Sequence, residues 1–273
     1  MKNSILLLDP EFDPIMAPQC NLLLKITNDS FSYAIINQDS KNLEAIYDEQ
    51  DCGNITNTLK TKLKNDPYLN YSYNAVKIAV STGNCITIPN ELYTAKDLIT
   101  YTNFFSGDIS KTLHIKNNVA FDFTSIFNLQ QKLENDLDNH FKITSKQEQS
   151  MPVLNMAEAI ENGLLFDFTS LSFTVIQIIN NKLVFKNNFE IENGNEFNYY
   201  LLLLLKELQI DFKQTPVYLS GIINENDQNY KILQKYFDQI QFNLPQNKEI
   251  NCSILEDMPA YYYSSLLAID LCV

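Results

Sequence analysis

No arginine occurs in this chain of 273 residues: all 20 basic side chains are lysines, set against 33 Asp and Glu. The rigid guanidinium fork that grips phosphate or carboxylate through paired hydrogen bonds is therefore absent. A formal net charge of −13 repels polyanions. No basic stripe offsets that field, which excludes a nucleic-acid partner. Tryptophan is also missing, and 17 Phe and 15 Tyr supply the aromatic bulk. Glycine is scarce: the six present fit no GxGxxG, GxxxxGK[ST] or GxSxG arrangement. The only histidines, His114 and His140, lie in no HExxH and beside no Cys or Ser at a diagnostic spacing. They read as exposed or hydrogen-bonded structural side chains. Cys20, Cys52, Cys85, Cys252 and Cys272 are odd in number and form no CxxC. Neither a zinc site nor a disulfide framework follows, and they read as buried thiols of a reducing cytoplasm. The longest apolar run, "YYLLLLL" at 199–205, falls far short of the ~20 residues that span a bilayer. "ILLL" at 5–8 is too short for a signal-peptide core. No membrane insertion and a cytoplasmic location are expected.

What the chain does contain is a repetition. "LLLKITNDSFSYAIIN" at 22–37 returns as "LLFDFTSLSFTVIQIIN" at 164–180, so that at an offset of 142 Thr27 meets Thr169, Ser30 meets Ser172 and Phe31 meets Phe173. Each copy reads as two strands around polar turn residues, Asn28-Asp29 in the first. In the first copy a third strand at 43–47 follows, then a helix capped by Asn54 with Lys60, Lys62 and Lys64 near its far end, then a buried strand at 75–81. In the second, strands at 164–170, 172–179 and 183–185 precede a helix capped by Asn195 and a strand at 216–220. Asn226 or Asp227 then caps a helix with Ile232, Leu233, Tyr236, Phe237 and Ile240 along one face. A last helix opens at Asp257 with Pro259 in its first turn, and "PVLNMAEAI" reads as a helix joining the halves. The expected fold is α/β, duplicated as two β-β-β-α-β-α halves spanning 1–161 and 162–273. A small insertion near 83–118 carries a helix near 92–105 and a strand-like "KTLHIK" at 111–116.

This layout resembles the actin-like ATPase superfamily, with its ribonuclease H-like halves, and within it the pilus-assembly and cell-division branch. More closely, "LDPEFDP", "LLLKITNDSFSYAII", "ITIPNELY" and "MPAYYYSSLLAIDLC", in that order, resemble the bacterial domain-of-unknown-function 3822 family. The resemblance implies an actin-like fold of unestablished role. In actin-like ATPases the nucleotide sits between the halves. Each opening hairpin reads Asp-x-Gly, the glycine letting backbone N–H groups approach the phosphates, and a later Gly-Gly makes room for adenine and ribose.

The departures from that pattern fall at named positions. Lys25 stands where the first Asp would, Thr27 and Thr169 replace the glycines, Asp167 is retained, and Ser220-Gly221 keeps one glycine of the later pair. A phosphate cradle without glycine lacks close backbone donors, and one carboxylate is little to hold a hydrated Mg²⁺. Asp167 is either the remnant of a metal site or a buried carboxylate paired with Lys25 or a hydroxyl; facing each other, Lys25 and Asp167 would close the cleft with an ion pair. A two-metal nuclease, the other relative of such opening strands, needs several converging carboxylates. The terminal "YYYSSLLAIDLC" reads as a surface-to-core helix, its tyrosines an interface or packing under a sheet edge. The expectation is a non-catalytic binding or scaffold protein, without cofactor, for a protein partner, either another protein or a second copy of itself. The alternative is binding or hydrolysis of ATP with magnesium through atypical loops.

Overall fold

A computed structural model of the chain describes residues 4–107, 112–244 and 249–272. It opens with β1 (Ser4–Leu8), β2 (Cys20–Ile26), β3 (Ser30–Asn37) and β4 (Leu43–Gln50), followed by α1 (Ile55–Asn65) and β5 (Ala75–Val80). An insertion of β6 (Cys85–Pro89), the short α2 (Leu98–Thr102), β7 (His114–Asn118) and β8 (Phe123–Phe127) precedes α3 (Gln131–His140), β9 (Ser145–Glu148) and α4 (Met151–Met156). The second half brings β10 (Gly163–Phe168), β11 (Ser172–Ile179), β12 (Lys182–Glu190), α5 (Gly194–Glu207), β13 (Val217–Gly221), α6 (Gln228–Leu233), β14 (Ile240–Phe242) and α7 (Ser264–Leu267).

Two large sheets result, ordered β1-β4-β3-β2-β5-β9 and β12-β11-β10-β13-β14, beside a small sheet β6-β8-β7. In both large sheets three consecutive strands, β2-β3-β4 and β10-β11-β12, run antiparallel and two later strands join in parallel, and β1 adds a further antiparallel strand at the edge of the first sheet. The register slips between Ile35 and Ile36 in one and between Gln177 and Ile178 in the other, again 142 residues apart. The turn joining β11 to β12 is Asn180-Asn181, both left-handed at φ 51° and 58°, a conformation that Asn tolerates and two-residue hairpins require.

The structure departs from the sequence-based expectation in several places. Each half gains a further parallel strand, β9 and β14, of 4 and 3 residues. Ile240 belongs to β14, where pairing with Val217 overrides the helical stripe, and α6 ends at Leu233. The cap of α5 is Asn193, whose side chain accepts from the backbone N–H of Asn195 and Glu196. The small sheet extends to Phe127, past the expected boundary. β7 begins at His114, and Lys111 of the expected strand lies outside the described residues. The Asn54 cap, accepting from Asn57 N–H at 3.0 Å, and the linking helix α4 are as expected. The final helix begins later than expected, at Ser264, after a 3-10 turn that Pro259 precedes. Among the described residues no helix is long and apolar enough to cross a membrane.

Strand alternation sorts the side chains into layers. In β2, Leu22, Leu24 and Ile26 turn outward beneath Leu59 and Leu63 of α1 and Leu133 and Leu137 of α3. In β10, Leu164, Phe166 and Phe168 turn outward beneath Phe197 and Leu201 of α5. The opposite parity points inward. Leu23 meets Leu266, Leu267 and Ile269 from the end of the chain, and Leu165 meets Val153 and Leu154 of α4. Of the three tyrosines, Tyr263 is buried with Leu266 and Leu267 against the inner face of the first sheet, while Tyr261 packs with the outer cluster of the second half, stacked on Phe242 at 3.9 Å.

Gly221 ends β13 at φ 81°, beside Phe168 of β10. A Cβ there would lie 2.1 Å from the Phe168 carbonyl oxygen, so close strand approach accounts for this glycine. Gly221→Ala is expected to destabilise the protein by roughly 3 kcal/mol or more in urea unfolding; a loss below roughly 1 kcal/mol would contradict this account.

Candidate functional site

The inward parity of β2 and β10 carries Lys25 and Asp167 to the seam between the halves. Lys25 Nζ lies 2.5 Å from Asp167 Oδ2 and 2.6 Å from Ser265 Oγ, while Ser220 Oγ donates to Asp167 Oδ1 at 2.7 Å. Both partners are buried. Asp167 is thus a buried carboxylate paired with Lys25 through one oxygen and with a hydroxyl through the other. Each pair member belongs to a polar row crossing its sheet: Asp48, Ser32 and Lys25 in one, Asn188, Thr174, Asp167 and Ser220 in the other. Ser32 Oγ and Gln50 Nε2 donate to Asp48 Oδ1 at 2.7 and 2.8 Å. Burial pushes the Asp48 carboxyl above its usual range, opposed by those hydrogen bonds and by the Lys25 charge.

Above the ion pair the two hairpin turns interlock. Thr27 Oγ1 donates to Asp29 Oδ1 at 2.8 Å, and Asp29 reaches into the opposite turn. There Thr169 Oγ1 lies 2.7 Å from Asp29 Oδ2, the Leu171 N–H donates to the same oxygen at 2.8 Å, and Ser172 Oγ lies 3.1 Å from Oδ1. The threonines that stand in place of glycine thus bind one shared carboxylate. Gln50 Oε1 accepts from Ser170 N–H at 3.0 Å, and Asn28 Nδ2 donates to Glu190 Oε1 at 2.5 Å.

A second buried pair crosses the seam further along. Lys186 Nζ of β12 lies 2.5 Å from Glu148 Oε1 at the end of β9, and Ser150 donates to Glu148 through both its hydroxyl and its N–H. Burial alone would raise the Glu148 carboxyl, but the Lys186 charge and these hydrogen bonds outweigh it and hold it below its usual range. Between this pair and the hairpins lies a cavity of about 220 Å³, lined by Asn28, Ser81, Gln149, Ser172, Lys186 and Glu190 among others. It is smaller than the ~300–1,000 Å³ of ordinary small-molecule sites. Among the described residues no group of three or more His, Cys, Asp or Glu is placed to hold a metal ion.

The histidines are held by internal hydrogen bonds: His114 Nε2 lies 2.6 Å from Glu134 Oε1, and His140 Nε2 lies 3.1 Å from the Leu69 carbonyl. Cys20 and Cys272 are buried, which pushes each thiol up to about 12, with Glu44 and Asp39 adding to the effect at Cys20 and Asn155 opposing it at Cys272. Cys52, Cys85 and Cys252 are only partly buried, contrary to expectation. Sequence reasoning missed Asp29, Ser265 and the Lys186–Glu148 pair. For Asp29 a signal existed: at the repeat offset it meets the apolar Leu171, between a Thr and a Ser that both copies share.

Two outcomes follow from this geometry. Lys25→Met or Asp167→Leu alone is expected to cost roughly 3–5 kcal/mol, because each strands a buried charge, while the double variant recovers most of that loss. Urea unfolding of the four proteins checks this, and simple additivity would refute the coupling. Asp48 has a raised folded pKa, so its ionisation lowers stability as pH climbs through and above the ordinary carboxylate range. Asp48→Asn should therefore melt higher than the parent at pH 7, and the difference should vanish below about pH 4, where both side chains are neutral. An advantage that persists at low pH would rule out ionisation as its source.

No curated protein matches the sequence. Among solved structures, a Bacteroides thetaiotaomicron protein with an actin-like ATPase fold and unknown function aligns with a TM-score of 0.73 at 18% identity, over 96% of this chain and 99% of that one. The PilM-PilN type IV pilus biogenesis complex contains a chain that aligns at TM-score 0.60 and 10% identity, over 92% and 97%. The cytoplasmic domain of EpsL, an inner membrane component of the Vibrio cholerae type II secretion system, aligns at 0.50 and 10% identity, over 93% and 95%. At these identities the likeness establishes the actin-like fold. The model of a family described as protein of unknown function (DUF3822) matches residues 9–240, and to that family the chain belongs.

Proposed function

We propose that this protein is a non-catalytic binding or scaffold protein in which the actin-like cleft is closed by the chain's own side chains. The observation that carries this reading is the Lys25–Asp167 pair. The carboxylate retained from the ATPase pattern has one oxygen on an ammonium and the other on the Ser220 hydroxyl. Mg²⁺ with ATP does not fit these residues. A cation would have to displace the Lys25 charge. The hairpins also hold a carboxylate where a triphosphate would need open backbone donors. Neither Lys186 nor Lys25 is free to receive phosphate, since each is engaged by a buried carboxylate.

A protein partner suits this reading. PilM, which shares the fold, is named in its structure as part of a complex with PilN. The net charge of −13 favours a basic partner surface through long-range attraction. Closed by internal pairs, the two halves form a rigid body that can present a surface without cycling.

Calorimetric titration with Mg·ATP distinguishes the proposal from an active ATPase. No saturable heat is expected into the millimolar range, a ceiling of about −4 kcal/mol in binding free energy. Micromolar, saturable binding that Asp167→Ala abolishes would overturn the proposal and establish a nucleotide site.

A further inference from the structure

The turn of the second hairpin is built as a receptor. Thr169 N–H donates to the Ser172 carbonyl at 3.0 Å, which closes the turn and leaves the Leu171 N–H facing the first half. The hydroxyls of Thr169 and Ser172 lie 2.6 Å apart and turn to the same side. One N–H and two hydroxyls therefore converge on a single point, with Ser170 Oγ at the margin, 3.5 Å from Asp29 Oδ2. Converging backbone and hydroxyl donors of this kind suit a compact oxyanion. That point is filled by Asp29, which comes from a turn 142 residues earlier than the N–H it accepts from.

The first hairpin, with the same Thr and Ser at matching positions, does not make a second receptor of this kind. Its Thr27 Oγ1 contacts Ser30 Oγ at 2.7 Å and points at the same Asp29 carboxylate. Between the matching Thr and Ser the two turns differ, and where one has Asp29 the other has Leu171 with its N–H directed outward. The first half supplies the anion, and the second supplies most of the groups around it, with Thr27 adding a donor from the first.

We infer that the Thr169–Ser172 turn is an oxyanion receptor of the carboxylate class, occupied in cis by Asp29, and that Asp29 acts as an intramolecular ligand tying the two halves together. The receptor's Thr169, Leu171 and Ser172 groups all come from the second half, with Thr27 Oγ1 of the first half as a further donor to the carboxylate, so the receptor persists when Asp29 is removed and takes a small external carboxylate in its place. This inference stands apart from the question of catalysis, because a formate-sized ion tests the turn without involving nucleotide.

The experiment is chemical rescue on the full chain. Asp29→Ala should lower Tm by roughly 5–10 °C, as expected for loss of several hydrogen bonds to a charged group in a domain of this size. Sodium formate, compared with sodium chloride at equal ionic strength, should restore most of that loss in a saturable manner and leave the parent protein unchanged. Equal recovery in chloride, or no recovery in either salt, would overturn the inference. If Asp29→Ala yields too little folded protein to melt, a cycle through Asp29→Asn and Thr169→Val reads the same contact. The double variant should then lose clearly less than the two single losses combined, and additive losses would overturn the inference.

Discussion

A lysine and an aspartate removed from water between two sheets set the terms for the rest of this molecule. Dehydrating each ion costs several kcal/mol, and mutual attraction offsets that only where geometry is close and the remaining lone pairs and protons are satisfied. Both conditions are met here, by Ser265 on the ammonium and Ser220 on the carboxylate. The consequence is directional. Apolar layers hold the halves together with little preference for register, whereas a buried ion pair with two hydroxyl partners permits one alignment. Lys186 and Glu148 repeat the device further along the seam, so the halves are fixed at two separated points.

An actin-like cleft in a nucleotide-using protein must leave charges unpaired until the ligand arrives. In this family member the corresponding charges already have partners within the chain. Threonine contributes to this in two ways: its bulk replaces the bare backbone of glycine, and its hydroxyl converts the same position into a donor for Asp29. In this chain the two hairpins and the two inward ions bond to one another across the seam.

Much of this was legible in the sequence because strands obey a period of two. The alternation of Leu22, Leu24 and Ile26 around Lys25, and of Phe166 and Phe168 around Asp167, places both ions inward, and the common offset places them opposite one another. Asp29 was legible only as a mismatch with Leu171 at the repeat offset; its partners lie in a turn whose geometry no local pattern encodes. Ser265 was hidden because the C-terminal segment reads as an ordinary helix until its docking site is known. The strands β9 and β14 are short, and β9 ("SKQE") is polar; both exist through parallel pairing with a neighbour rather than through propensity. The same competition cut α6 short at Leu233, where the sequence continues a helical stripe.

The inner face of the first sheet is covered by Leu266, Leu267 and Ile269, which lie far along the sequence from the strands they cover. On a ribosome, strands β2 to β5 emerge long before that cover does, and Leu23, Ala34, Ile36 and Ile46 stay wet in the interval. A fragment that stops short of the covering segment would leave this face as an open, aggregation-prone apolar surface.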